Sequence, residues 1–136
     1  MTDKIVLLTR EQILGAQDIA SEIVQVPEWG GAVRVRAMTG KQRDTFEESL
    51  QVRDKGGKVR TSIVQFRAKL VAWTVVDENG QRLFSVADVQ ALGEKSAAAL
   101  TRVAEVASRL SSITADDAEE MIKNSESDQD ASSGSI

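Results

Sequence analysis

Apolar and polar positions alternate twice near the start of the chain, over Glu22 to Val26 and over Ala32 to Met38. That period of two is the mark of β-strands with one buried and one wet face. In the second segment it sets Val33, Val35 and Ala37 on one side and Arg34, Arg36 and Met38 on the other. Between the two lies Pro27-Glu28-Trp29-Gly30-Gly31. Proline closes the first strand because it has no N–H for a ladder, and glycine supplies the positive φ of a tight reversal, so the pair reads as a β-hairpin.

Elsewhere the period is helical. Thr9 can cap a short helix over residues 10 to 16. Thr39 can cap a second that begins near Gly40 and ends near Arg53, with Phe46 and Leu50 inward and Lys41, Arg43 and Glu47 outward. From Ser62 to Val76 the residues Ile63, Phe66, Leu70 and Trp73 form one stripe, which predicts the central core helix. Asp77-Glu78-Asn79-Gly80 marks a turn, Arg82 to Phe84 a brief extended piece, and Ser85 the start of a short helix ending near Gly93, anchored by Leu83 and Phe84. Ser96 to Leu110 carries Leu100, Val103, Ala107 and Leu110 as a narrow seam. Thr114 can cap a last acidic helix through Met121, and the polar stretch after Asn124 predicts disorder.

These elements predict an α+β fold: a small β-hairpin or sheet packed against a bundle of about four to five helices, with an acidic disordered tail. At 136 residues the chain suits one core domain. The expected organisation is an N-terminal segment over 1–21, a core over 22–113, and an acidic helix and tail over 114–136. The loop Asp54 to Lys58 reads as mobile and open to proteolytic nicking.

Composition then narrows the chemistry. The chain has neither cysteine nor histidine, which removes thiolate and imidazole ligands, disulfides, thiol nucleophiles and the commonest general base. No catalytic, cofactor-binding or metal-binding residue is predicted, and the chain reads as no enzyme. The carboxylates Asp116, Asp117, Glu119 and Glu120 are adjacent on an exposed helix and diverge rather than converge on a cation. A phosphate loop needs a glycine five positions before Gly-Lys and a hydroxyl residue after it; Val35 and Gln42 fail the test around Gly40-Lys41, and Val52 and Val59 around Gly57-Lys58.

Basic residues outnumber acidic ones between Arg34 and Lys69, but aromatics make up only 4% of the chain and no stacking platform is visible, so nucleic acid is not an expected partner. No apolar run approaches the length of a membrane span, so no membrane role is expected and the predicted location is cytoplasmic. Trp29, on the hairpin turn, is the type of residue that anchors interfaces.

With these residues in view, the chain resembles the tail assembly chaperones of long-tailed bacteriophages with flexible, non-contractile tails. The resemblance is carried by Leu8-Thr9-Arg10-Glu11-Gln12-Ile13, Val26-Pro27-Glu28-Trp29-Gly30-Gly31, Val33-Arg34-Val35-Arg36 and Thr39-Gly40-Lys41-Gln42-Arg43-Asp44. It continues through Val75-Val76-Asp77-Glu78-Asn79-Gly80, Leu83-Phe84 and Leu92-Gly93-Glu94-Lys95-Ser96-Ala97, and so spans residues 8 to 110 in order.

The resemblance implies a non-enzymatic protein in the cytoplasm of an infected bacterium. Such a protein binds the helical tape measure protein, keeps it soluble, helps tail tube subunits polymerise around it, and is absent from the finished virion. It also allows self-association into an oligomer, and a frameshifted longer product whose extension would begin after Asn124. The expected partner-binding residues are Trp29, Arg34 and Arg36 with the seam Leu100, Val103 and Ala107. A structural tail component is the alternative reading, and a nucleic-acid-binding accessory protein a remoter one.

Overall fold

Two threonine-glutamine pairs start the first two helices. In the computed structural model, which describes residues 4–113 and Asp117, the N–H of Thr9 donates to Gln12 Oε1 at 2.9 Å and the N–H of Gln12 donates back to Thr9 Oγ1 at 3.2 Å. Thr39 and Gln42 repeat this reciprocal box at 2.9 and 3.0 Å. Each box satisfies N–H groups that a helix start leaves without partners. The helices are α1 (Arg10–Leu14) and α2 (Gly40–Ser49).

Between them run the strands β1 (Ser21–Val26) and β2 (Gly31–Arg36), antiparallel, with Ser21 opposite Arg36 and Val26 opposite Gly31. A 3-10 turn over Pro27–Trp29 joins them, and Gly30 ends that turn at φ +76°, where a side chain is disfavoured. The expected alternation holds at Val35, which is fully buried, but Met38 is a correction. The strand stops at Arg36, the pleat ends, and Met38 turns into the core, its N–H donating to Ser111 Oγ at 3.0 Å.

Two predicted helices are shorter than their apolar patterns. α2 ends at Ser49 rather than near Arg53, because β3 (Gln51–Arg53) and β4 (Val59–Thr61) form a hairpin of their own. The turn between them is held by Asp54, whose Oδ1 accepts the N–H groups of Gly56 at 2.9 Å and Lys58 at 3.0 Å. The central helix, α3 (Phe66–Thr74), begins after Gln65, a non-glycine residue at φ +60°, and the end of its apolar pattern is spent elsewhere. Val75–Val76 is β5, which pairs antiparallel with Arg34 and Val35 to complete a sheet of order β1-β2-β5.

The turn after β5 repeats the aspartate device. Asp77 Oδ1 accepts from the N–H of Asn79 at 2.8 Å and of Gln81 at 3.0 Å, and Gly80 sits at φ +80°. A 3-10 turn over Val86–Asp88 then leads into α4 (Val89–Leu92), which stops at Gly93 as expected. Of the two residues predicted to anchor this segment, Phe84 packs against the core while Leu83 is exposed.

The last described helix is α5 (Ala97–Leu110), capped by Ser96. It lies across β1 and β2 and packs on α3, with α2 and α4 against α3 in turn. Ala99, Ala104 and Ala107 let the helix approach closely, and Leu100 and Val103 fill the space between helix and sheet. Phe46, Leu50, Leu70, Val26, Val35, Val71 and Val75 are the other large side chains with almost no exposure. The fold is α+β, as the pattern predicts. The acidic helix from Thr114 to Met121 and the polar tail beyond Asn124 fall outside the described residues, Asp117 apart.

Candidate partner interface

Helix α5 is clamped to the hairpin by its arginines. Arg102 forks onto Glu28 on the β1–β2 turn, Nη1 to Oε1 and Nη2 to Oε2, the second contact at 3.0 Å. Two turns further along the helix, Arg109 Nη2 donates to Glu22 Oε2 at 2.6 Å. The guanidinium of Arg102 holds the Glu28 carboxyl below the usual glutamate range, with help from the residue's own backbone N–H. Both pairs are largely solvent-exposed, so they fix orientation more than they add stability.

Arg43 does the same for the far end of α5. Its Nη1 donates to the carbonyls of Ser111 at 3.2 Å and Ser112 at 3.3 Å, its Nε to Glu47 at 3.1 Å and its Nη2 to Asp117 at 3.4 Å. The expectation that Arg43 points into solvent is thereby corrected: the helix end offers uncapped carbonyls, and an arginine on the neighbouring helix takes them.

The residues expected to bind a partner fall into two groups. Leu100, Val103 and Ala107 face the sheet and α3, with exposures of 5%, 0% and 0%, so the seam is core and offers no surface. That is a correction, and its reason is that α5 uses its single apolar stripe to cover the strands. Trp29 is half-buried against the core rather than standing free on its turn. Arg34 and Arg36 do project from the sheet on the side away from Val33 and Val35. Arg34 is half-buried and Arg36 exposed, its Nη1 reaching the carbonyl of Gly80 at 3.3 Å.

Arg82 has a role that no pattern in the sequence signals. Its guanidinium lies 4.1 Å over the Trp73 ring, its Nε donates to the Ala72 carbonyl at 3.1 Å, and its Nη2 is buried without a hydrogen-bond partner. Burial lowers its pKa from the ordinary arginine value. The geometry is that of a packed lid over Trp73, and no charged partner for catalysis stands beside it.

What the fold leaves uncovered is apolar. Val59, Ile63 and Val64 before α3, and Leu83 and Val86 after it, are exposed, as is Ile23 on β1. The two segments that flank α3 are tied together by a 2.9 Å hydrogen bond from Gln65 Nε2 to Gln90 Oε1. Among the described residues no group of three or more acidic, histidine or cysteine side chains is placed to hold a metal ion, and no helix is long and apolar enough to cross a membrane. This is a surface for contact rather than for reaction.

Comparison with known proteins bears on what kind of contact. A family model described as phage tail assembly chaperone matches residues 10–124. No curated protein matches the chain. Among solved structures, the tail assembly chaperone of bacteriophage HK97 shares the fold, with a TM-score of 0.51 and 22% identity over 74% of this chain and 90% of that one. A match over so much of the sequence, on a fold whose surface is built for binding, means that this chain belongs to the phage tail assembly chaperone family.

Proposed function

We propose that the protein binds the tape measure protein of its phage, keeps it soluble, promotes polymerisation of tail tube subunits around it, and leaves before the virion is complete. The observation that carries this reading is the exposed apolar set around α3: Val59, Ile63, Val64, Leu83 and Val86. A long helical client with apolar faces aggregates when those faces meet one another, and a small protein that lays apolar side chains against them in turn prevents it. Trp29, Arg34 and Arg36 are the proposed contacts on the sheet side, with the arginines at the polar rim where they set orientation. Neither catalysis nor a cofactor enters the proposed role, and its setting is the host cytoplasm.

Co-expression with the large helical protein encoded downstream tests the proposal. The client is expected in the soluble fraction, co-purifying with this chain, and the chain is expected to be missing from purified virions. An insoluble client with this chain alone in the supernatant, or the chain present in virions at fixed stoichiometry, overturns it. The second result would mark a structural tail component.

A further inference from the structure

The segment ahead of β1 is an apolar arm with nothing to lie on. Ile5, Val6, Leu7 and Leu8 belong to no helix or sheet, and α1 buries none of its residues, which leaves Ile13 and Leu14 exposed as well. Ile5 and Leu7 are 89% and 86% exposed. Together the six side chains present on the order of 800 Å², more than the roughly 300–600 Å² of the largest apolar patch on a typical monomer. About 800 Å² is also what each partner contributes to a standard stable interface.

The sheet has a matching defect. β1 is an edge strand, and Ala37 N–H donates to the Ala20 carbonyl at 2.9 Å, one residue beyond the pairing of Ser21 with Arg36. Ala20, Glu22 and Val24 therefore turn their backbone groups toward β2, and the N–H and C=O of Ser21, Ile23 and Gln25 point off the open edge. Beside that edge, Arg102 and Arg109 cross from α5 to Glu28 and Glu22, with the half-buried Val106 between them on the same helical face. An added strand would find a hydrogen-bonding edge, an apolar floor at Val106 and the arginine stems, and Ile23 on the open side.

We propose that the arm of one copy adds as a strand to the β1 edge of a second copy. Alternation places Ile5 and Leu7 on one side of the new strand and Val6 and Leu8 on the other, so both the floor and Ile23 are covered. A second copy is the occupant because arm and edge come in equal number on one chain, and only another copy satisfies both. Arm and edge are different surfaces, so the contact is heterologous and propagates to a ring or a filament. This association stands on the arm and the edge alone, independently of the client.

Two full-length variants test it, Leu7→Glu on the arm and Ile23→Lys on the edge. Both positions are exposed, and unchanged far-ultraviolet circular dichroism and urea midpoints establish that each variant folds. Sedimentation equilibrium is expected to show the unaltered chain gaining mass with concentration and each variant alone staying monomeric. An equimolar mixture of the two is expected to form a 1:1 dimer, because the Ile23→Lys copy keeps its arm and the Leu7→Glu copy keeps its edge. A monomeric unaltered chain, association that survives Ile23→Lys, or a mixture that fails to pair overturns the proposal. The first of these results would place the arm on its own chain.

Discussion

Val103→Ala separates the two roles that an apolar helical stripe can have. The side chain has no exposure and lies between α5, the sheet and α3. Removing two carbon groups forfeits about 0.8 kcal/mol each in transfer free energy, and the cavity left in a site closed on three sides raises the cost to about 2–3 kcal/mol. With a urea slope of about 1.5 kcal/mol/M, the midpoint falls by about 1.5–2 M. The assay pairs that denaturation curve with capture of the tape measure protein in the co-expression experiment, normalised to the folded fraction. A core residue gives a large midpoint shift and unchanged capture per folded molecule. An unchanged midpoint with capture lost would refute the packing argument and return Val103, with Leu100 and Ala107, to the surface.

Phe46→Ala is expected to cost about 3–5 kcal/mol in the same denaturation assay, because the ring is fully buried. It packs edge-on against Phe66 at 5.8 Å and Trp73 at 6.5 Å, and each aromatic pair accounts for about 0.5–1.5 kcal/mol of that loss. Gly57→Ala and Gly80→Ala share a φ of +80°, but only the latter sets its new Cβ 3.3 Å from Arg36 Nη1. Thermal melts should show about 1 kcal/mol lost at Gly57 and more at Gly80, the excess vanishing in an Arg36→Ala background. Glu28 has its pKa lowered by Arg102, so its stabilising contribution is present above the ordinary value of 4.5 and is lost as pH falls through the lowered one. Urea midpoints of Glu28→Gln should therefore lack the part of the acid-side decline that the unaltered chain shows over that window.

Elements that carry their own local signal are legible in the sequence. Thr9 and Thr39 announce α1 and α2 through hydroxyls that the helix start needs, and the alternation around Val24 and Val35 marks β1 and β2. The short strands are not legible, for a reason of length. Val75–Val76 is too brief to alternate, and its apolar pair continues the helical stripe of Leu70 and Trp73 without a break. Only the waiting backbone groups of Arg34 and Val35, about forty positions earlier in the chain, take those residues out of the helix. Gln65 at φ +60° is equally silent in sequence, since nothing in a glutamine signals the left-handed region.

The interface is harder to read than the fold because an apolar stripe does not name its occupant. The seam of α5 satisfies the pattern for a partner and for its own sheet equally well, and the folded chain gives it to the sheet. A better signal lies in consecutive apolar residues. Adjacent positions on a strand face opposite sides, so a strand with one covered face has room for only one member of such a pair. Ile23 beside Val24 breaks that limit: Val24 is buried, and Ile23 must therefore be outside, where it is found. The same logic applies to the run Ile5 to Leu8, which no single-sided strand can bury. Such a run calls for a position with both faces covered, and a strand laid between Val106 and Ile23 has them, one face supplied by α5 and the other by Ile23 on the open side of the sheet.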